Sequence, residues 1–250
     1  MADKLLSIVT VSYKNIDGLR KTFNSLRALL QAYPNSIQWI VVDAASNDGT
    51  LEFLIDTKNQ YHNISFISEK DRGIYDAMNK GVTMASHKYI WFLNAGDTSM
   101  ATDELLINLN THHDALFFGA YYEYGRYKYY RPPKPLGYAT YGMPANHQAI
   151  FYKKEVLERN PYPLSFGLSQ DYWLSTQLLS NNSTYHIYDK PIVKFEVGGI
   201  STTNYLAVCS DMAKIQREVL KLNRLKIFAF YLRRVVVMTA NYLIHRATEK

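Results

Sequence analysis

The first hundred of the 250 residues predict an α/β protein with a mostly parallel sheet flanked by helices. Three observations carry this. Four short apolar or β-branched runs alternate with three segments whose apolar residues recur at helical spacing, the pattern of successive βαβ units. Each run ends in a polar, turn-rich stretch, and in such a sheet these stretches collect on the face where ligands bind. The chain has no internal repeat and no low-complexity linker, so one compact domain with a helical tail is expected.

In order, Leu5 to Ser12 is a buried strand rich in β-branched residues. Ile16 to Ala32 places Leu19, Phe23, Leu26, Leu29 and Leu30 on one helical face, and Pro34 and Asn35 end it. Ile37 to Val42 is the second strand, and it runs into Asp43-Ala-Ala-Ser-Asn-Asp-Gly-Thr50 before a helix from Leu51 to about Asn59. Ile64 to Ile67, a loop to Gly73 and a helix from Ile74 to Ala85 follow. The stretch that organises the rest is Tyr89-Ile-Trp-Phe-Leu-Asn-Ala-Gly-Asp97, a buried strand that ends abruptly on a Gly-containing turn with one carboxylate. Asp97 can hold a metal or a phosphate-bearing ligand there, or it can simply cap the next helix, expected at Asp103 to Asn110.

Beyond that point the texture changes. Ala115 to Tyr122 and Tyr127 to Arg131 flank a turn and read as a hairpin, ended by Pro132, Pro133 and Pro135. His147 to Tyr152 reads as a strand, with a short helix from Lys153 and another from Asp171 to Leu179. Tyr185 to Tyr188 and Ile192 to Phe195 read as two short strands, and Gly198 to Ser201 as a turn. The expected division is 1–203 for the domain, with halves 1–100 and 101–203, and 204–250 for the tail.

Charge and cysteine content narrow the partners. From Asp211 onward there are nine Lys/Arg against three Asp/Glu, whereas the first 210 residues carry 19 of each sign. The net +6 therefore sits in the tail, which argues against a nucleic-acid-coating surface and for an anionic membrane surface. The tail's first segment, to about Asn223, is amphipathic; the second, around Ile227 to Met238, is more apolar but broken by Arg233 and Arg234. Its alternatives are packing on its own domain or a homodimer contact. A single cysteine, Cys209, excludes an internal disulfide or a cysteine-based metal site and fits a reducing compartment. No signal-peptide pattern and no uninterrupted membrane span is read, so a cytoplasmic location, peripheral at the inner face of a bacterial inner membrane, is expected. Neither Gly-x-Gly-x-x-Gly nor a Walker A pattern occurs, which counts against dehydrogenases and P-loop NTPases.

Four motifs in fixed order, Ser7-Ile-Val-Thr-Val-Ser-Tyr13, Asp43-Ala-Ala-Ser-Asn-Asp-Gly-Thr50, Asp71-Arg-Gly-Ile-Tyr-Asp-Ala-Met-Asn-Lys-Gly81 and Phe92-Leu-Asn-Ala-Gly-Asp97, resemble the family 2 inverting glycosyltransferases of GT-A fold. His147-Gln-Ala-Ile-Phe151, Ser169-Gln-Asp-Tyr172 and Gly198-Gly-Ile-Ser-Thr-Thr203 extend the likeness, which is similar to enzymes of bacterial exopolysaccharide and colanic acid assembly. The resemblance implies a nucleotide-sugar donor, UDP favoured over GDP, and a lipid-linked or oligosaccharide acceptor. It implies donor contacts from Thr10, Ser12, Tyr13, Asp43, Asp71, Arg72, Asn79 and Asn94. Asp97 would hold Mn²⁺ or Mg²⁺, and Asp171 would be the general base. Where many members read Asp-x-Asp-Asp this chain reads Asn94-Ala-Gly-Asp97, so only the last carboxylate is present. His147, Gln148 and Trp173 are candidates for the acceptor or a phosphate.

Each residue has a plainer reading: Asp43 as a turn former, Asp171 as a helix cap, Arg72 as a solvated loop cation, Trp173 as core. Two other functions compete. A nucleotidyltransferase would carry a Gly-rich basic first loop, and Val11-Ser-Tyr-Lys14 does not. A nucleotide-sugar-binding or scaffold subunit without chemistry finds its support in the reduced Asn94-Ala-Gly-Asp97 element.

Overall fold

The computed structural model describes residues 4–103, 109–124 and 127–248. The helix expected at Asp103 to Asn110 lies largely outside them, as does the Gly125–Arg126 turn of the hairpin. The first half follows the βαβ reading: β1 (Leu6–Ser12), α1 (Ile16–Ala32), β2 (Ile37–Asp43), α2 (Thr50–Gln60), β3 (Ile64–Ser68), α3 (Ile74–Met84) and β4 (Tyr89–Phe92). β1 lies between β2 and β4, and β3 beyond β2, all parallel, with Ser12 beside Asp43 at the strand tips. Every residue of β1 and β4 is buried, which is why both are continuous apolar runs rather than alternating ones.

Helix starts in this half are held by side chains. Asn15 caps α1 by accepting from the Gly18 N–H, while its amide donates to the Ala95 carbonyl at 3.2 Å. Asp48 serves two helices at once, accepting from the Ile16 N–H and, through its other oxygen, from the Thr50 N–H and hydroxyl. One apolar layer, with Trp39, Trp91 and Phe118, packs under α1; the other, with Val9, Phe92 and Tyr152, packs under α3.

Past β4 the sheet turns mixed. A two-residue strand β5 (Thr98–Ser99) is followed by β6 (Ala115–Tyr124), β7 (Tyr127–Arg131), β8 (Ile150–Lys153) and β9 (Tyr185–Glu196). The nine strands run β3-β2-β1-β4-β8-β6-β9-β5, with β7 also on β6. The two strands expected between Tyr185 and Phe195 are one. Asp189 to Pro191 make a register shift opposite Phe118 to Ala120, and pairing with β6 resumes beyond it. A strand was also expected from His147. His147–Ala149 instead form a 3₁₀ turn, because the Asn146 side chain accepts from the Gln148 N–H and bends the chain before β8.

Helices α4 (Lys154–Arg159) and α5 (Gln170–Ser180) match expectation, and the expected turn at Gly198 leads into a one-turn helix α6 (Ile200–Thr203). The tail forms α7 (Tyr205–Glu218) and α8 (Arg224–Thr248). α7 packs Val208, Met212 and Ile215 on Tyr172 of α5. α8 touches the domain through Phe230 against Tyr141 and through Arg234, which donates to the Tyr141 and Cys209 carbonyls. No helix among the described residues is long and apolar enough to cross a membrane.

Because Asp48 accepts from the first N–H of two helices, Asp48→Ala should lower unfolding stability in urea by about 1–3 kcal/mol, the range of lost hydrogen bonds to a charged group; an unchanged midpoint would remove that role.

Candidate active site

The turns at the tips of β1 and β4 and the loop before α3 enclose a cleft of about 1600 Å³. Ser12, Tyr13, Asp71, Asn94 and Asp97 line it. A second cavity of about 410 Å³ adjoins it and is lined by Asp171, His147, Tyr75 and residues of β6, β7 and α8. The two share Ile74, Asn94, Gln148, Val197 and Ile200 as walls, so Asp97 and Asp171 open onto adjoining parts of one depression.

The Asn94–Asp97 turn is held from three sides. Thr22 of α1 donates to the Asp97 carbonyl at 2.7 Å and accepts from the Gly96 N–H. Gln148 accepts from the Asn94 N–H at 2.6 Å. The Asp97 carboxylate accepts from the Glu196 N–H at 2.8 Å. Asp97 therefore caps no helix; it precedes β5 and ties the turn to β9. Gly96 has φ +109°, a conformation that suits glycine and lets the chain reverse in so few residues.

Burial pushes the Asp97 carboxyl up to about 7, partly offset by the Glu196 N–H and the Gln148 side chain. The Asn94 side-chain oxygen is buried without a protein partner among the described residues. An orphaned carbonyl-type oxygen and a carboxylate on one turn are the donor chemistry a hard divalent cation takes, with diphosphate and water completing the shell. Among the described residues there is no group of three or more His, Cys, Asp or Glu that could hold a metal ion.

Asp171 stands at the start of α5. One oxygen accepts from the Tyr172 N–H at 2.8 Å and lies 3.2 Å from the Tyr75 hydroxyl. Its other oxygen has no hydrogen bond among the described residues, and the side chain is partly open to the cavity. Burial raises the carboxyl to about 6, with the Tyr172 N–H and Tyr75 pulling against it. A carboxylate with such a pKa is charged at neutral pH yet basic enough to take a proton from a hydroxyl. His147 lies 5.2 Å from the Phe92 ring centroid in a stacked arrangement, between the Tyr152 and Tyr162 hydroxyls, and burial holds its imidazole down to about 4. It is a neutral wall of the cavity. Gln148 is a strut beneath Asn94.

Several residues named from the sequence are not brought to the cleft. Thr10 is in the core, where its hydroxyl donates to the Leu93 carbonyl and accepts from Trp39 Nε1. Asp43 is fully buried, with its carboxylate taken by Ser46 and by Ser68 at 2.6 Å. It shapes the loop. Arg72 points to solvent and pairs with Asp76 at 2.8 Å. Asn79 clamps the Tyr162 backbone, donating to its carbonyl and accepting from its N–H, both at 2.9 Å. Trp173 packs between the α3-side core and α7. In each case a strong local hydrogen-bond or packing partner claims the group.

The residues that sequence reasoning missed come from distant elements: Tyr75, and Arg131, Tyr138, Arg233 and Arg234. Tyr75 lies within the Asp71–Gly81 motif; no local signal marks the other four as its neighbours, and only the long return of β6 and β7 and the fold-back of α8 place them together.

The fold is that of the GT-A glycosyltransferases. The sequence model of glycosyl transferase family 2 matches residues 7–174, and the chain belongs to that family. Among relatives, an uncharacterised glycosyltransferase of Mycobacterium tuberculosis is 37% identical over 98 residues, covering 39% of this chain and 36% of the relative's length. The PGL/p-HBAD biosynthesis glycosyltransferase of Mycobacterium bovis is 27% identical over 173 residues, 66% of this chain and 67% of that protein. Among solved structures, S. aureus TarS residues 1–349 with UDP-GlcNAc align with TM-score 0.64 at 17% identity, over 92% of this chain and 72% of that one. A mannosyltransferase from Pyrobaculum calidifontis with GDP-Man and Mn²⁺ aligns with TM-score 0.67 at 13% identity, over 99% and 74%.

Since the folded protein binds the Asp171 proton more tightly than the unfolded chain, this group's contribution to stability is complete below about pH 4. It is lost as pH rises through about 6. Asp171→Asn should therefore raise the Tm by a few degrees at pH 8 and by nothing at pH 4. A Tm difference independent of pH would show that the carboxyl is not so perturbed.

Proposed function

We propose that this protein transfers a sugar from a nucleotide diphosphate, UDP favoured and GDP the alternative, to a lipid-linked oligosaccharide with inversion at the anomeric carbon. The observation that supports this best is the junction of the two cavities at Asn94 and Gln148, with Asp97 on one side and Asp171 on the other. The donor lies along Ser12, Tyr13, Asp71 and Asn94, with its diphosphate at the Asn94–Asp97 turn. Asp97 and Asn94 hold Mn²⁺ or Mg²⁺, which when bound offsets the charge of the departing diphosphate. Asp171 takes the proton from the acceptor hydroxyl, and the Tyr75 hydroxyl keeps its carboxylate oriented. Direct attack from the face opposite the diphosphate inverts the configuration in one displacement.

Asp171→Asn should keep donor affinity within about twofold and lower transfer by roughly 10²–10⁴, the usual span for a lost general base. Full transfer would remove Asp171 as base, and donor binding without any turnover in the unsubstituted protein would leave the scaffold alternative. Asp97→Asn should weaken Mn²⁺-supported donor binding in calorimetry by at least about tenfold; equal affinities would remove Asp97 as ligand.

The acceptor side supports peripheral membrane docking, with the site at the inner face of a bacterial inner membrane. Leu225, Phe228, Leu232, Val236 and Leu243 form an exposed stripe along α8, bordered by exposed Arg224, Lys226 and Arg233. An apolar helix face edged by cations suits an anionic leaflet. Phe228→Glu with Leu232→Glu should abolish co-sedimentation with phosphatidylglycerol vesicles. Vesicle binding unchanged, with a smaller particle in gel filtration, would make the stripe a homodimer contact.

A further inference from the structure

The Asp171 cavity holds an excess of positive charge that the chemistry above does not use. Its charged lining consists of three guanidiniums, Arg131, Arg233 and Arg234, against the single carboxylate of Asp171. Among the described residues none of the three arginines meets a carboxylate. Arg131, only partly exposed, donates to the Tyr122 hydroxyl at 3.0 Å and the Met143 carbonyl at 3.3 Å. Arg234, also partly exposed, donates to two backbone carbonyls. Arg233 has no hydrogen-bond or ion-pair partner among the described residues. Cations partly withdrawn from water, as Arg131 and Arg234 are, are normally paired with an anion, and planar guanidiniums match phosphate oxygens two at a time.

The electrostatics of the neighbours agree. Burial alone would raise the Tyr138 hydroxyl, yet the Lys134 ammonium, which lies 4.1 Å from the ring centroid, and then Arg233 and Arg131 hold it below its ordinary value. Burial lowers the Arg234 guanidinium, as expected of a cation without a counter-ion. None of the three arginines lines the Ser12–Asp97 cleft, so they do not serve a diphosphate bound there. On the same cavity wall Phe230, Val237 and Met238 supply apolar surface from the helix that carries Arg233 and Arg234.

We infer that Arg131, Arg233 and Arg234 form a second anion site that takes the phosphate or diphosphate joining the acceptor sugar to its lipid. The site rests on the glycosyltransferase reading above and narrows its acceptor to a phosphate-bearing amphiphile. The phosphate lies among the guanidiniums, the lipid leaves along Phe230 and Val237, and the sugar hydroxyl points back to Asp171.

The test uses the full chain with UDP and Mn²⁺ saturating the donor cleft, and farnesyl diphosphate, farnesol and phosphatidylglycerol vesicles as separate probes in calorimetry. Farnesyl diphosphate should bind the UDP-loaded protein and farnesol should not. Arg233→Gln, whose side chain is exposed and without a partner, should weaken farnesyl diphosphate about tenfold, the scale of one charge-assisted hydrogen bond. Arg131→Gln should do the same and Arg131→Lys should recover part of it, while UDP affinity stays within twofold in all three. Equal binding of farnesol, or farnesyl diphosphate indifferent to both glutamine variants, would overturn the site. So would loss of UDP affinity in those variants, because the arginines would then belong to the donor. Variants that weaken vesicle binding but not farnesyl diphosphate would assign the cations to bulk headgroups and overturn it too. Failure of UDP to bind the unsubstituted protein is a separate result: it sinks the donor reading, and the arginine dependence of farnesyl diphosphate is then still read on its own.

Discussion

The arrangement depends on how β4 ends. Five consecutive fully buried residues, Tyr89 to Leu93, end there, and the next four must reverse direction while presenting polar groups to a cleft. That reversal is stable because each exit is tied elsewhere: Ala95 to Asn15, Gly96 and Asp97 to Thr22, Asn94 to Gln148, Asp97 to Glu196. The turn joins the parallel half of the sheet to the mixed half, so a carboxylate from the first half and one from the second face adjoining cavities. A buried turn of this kind with unmet backbone groups would cost several hydrogen bonds, each worth about 1 kcal/mol net and more when left unsatisfied.

The same force acts on the two carboxylates in different surroundings. Burial raises both, Asp97 to about 7 and Asp171 to about 6. Asp97 is deeper and has one oxygen committed to a backbone N–H, a setting in which a bound cation would restore its charge. Asp171 is more open and keeps one oxygen without a partner. The same tertiary contacts thus give the two carboxylates different surroundings on adjoining cavities.

The tail shows how one segment can serve both domain and surroundings. α7 is an integral part of the packing, with Ile215 fully buried. α8 turns one face to the domain through Phe230 and Arg234, and leaves the opposite stripe from Leu225 to Leu243 exposed. The expectation of a helix packed on its own domain holds for one side of α8.

The α/β class, the parallel direction of the first four strands and the break between the two tail segments near Asn223 were legible in the residues because periodicity and burial are local properties of a segment. So was the likeness to family 2 glycosyltransferases, carried by four motifs at the strand tips. Which polar residues reach the cleft was legible in part: Ser12, Tyr13, Asp71, Asn94 and Asp97 line it as read, and others do not. Thr10, Asp43 and Asn79 sit in motifs yet spend their hydrogen bonds on Leu93, Ser46, Ser68 and Tyr162, while Arg131 and Arg234 sit in no motif and line the cavity. A side chain's direction depends on partners dozens of residues away, and a one-dimensional pattern holds no record of those distances; only the folded sheet brings them within reach.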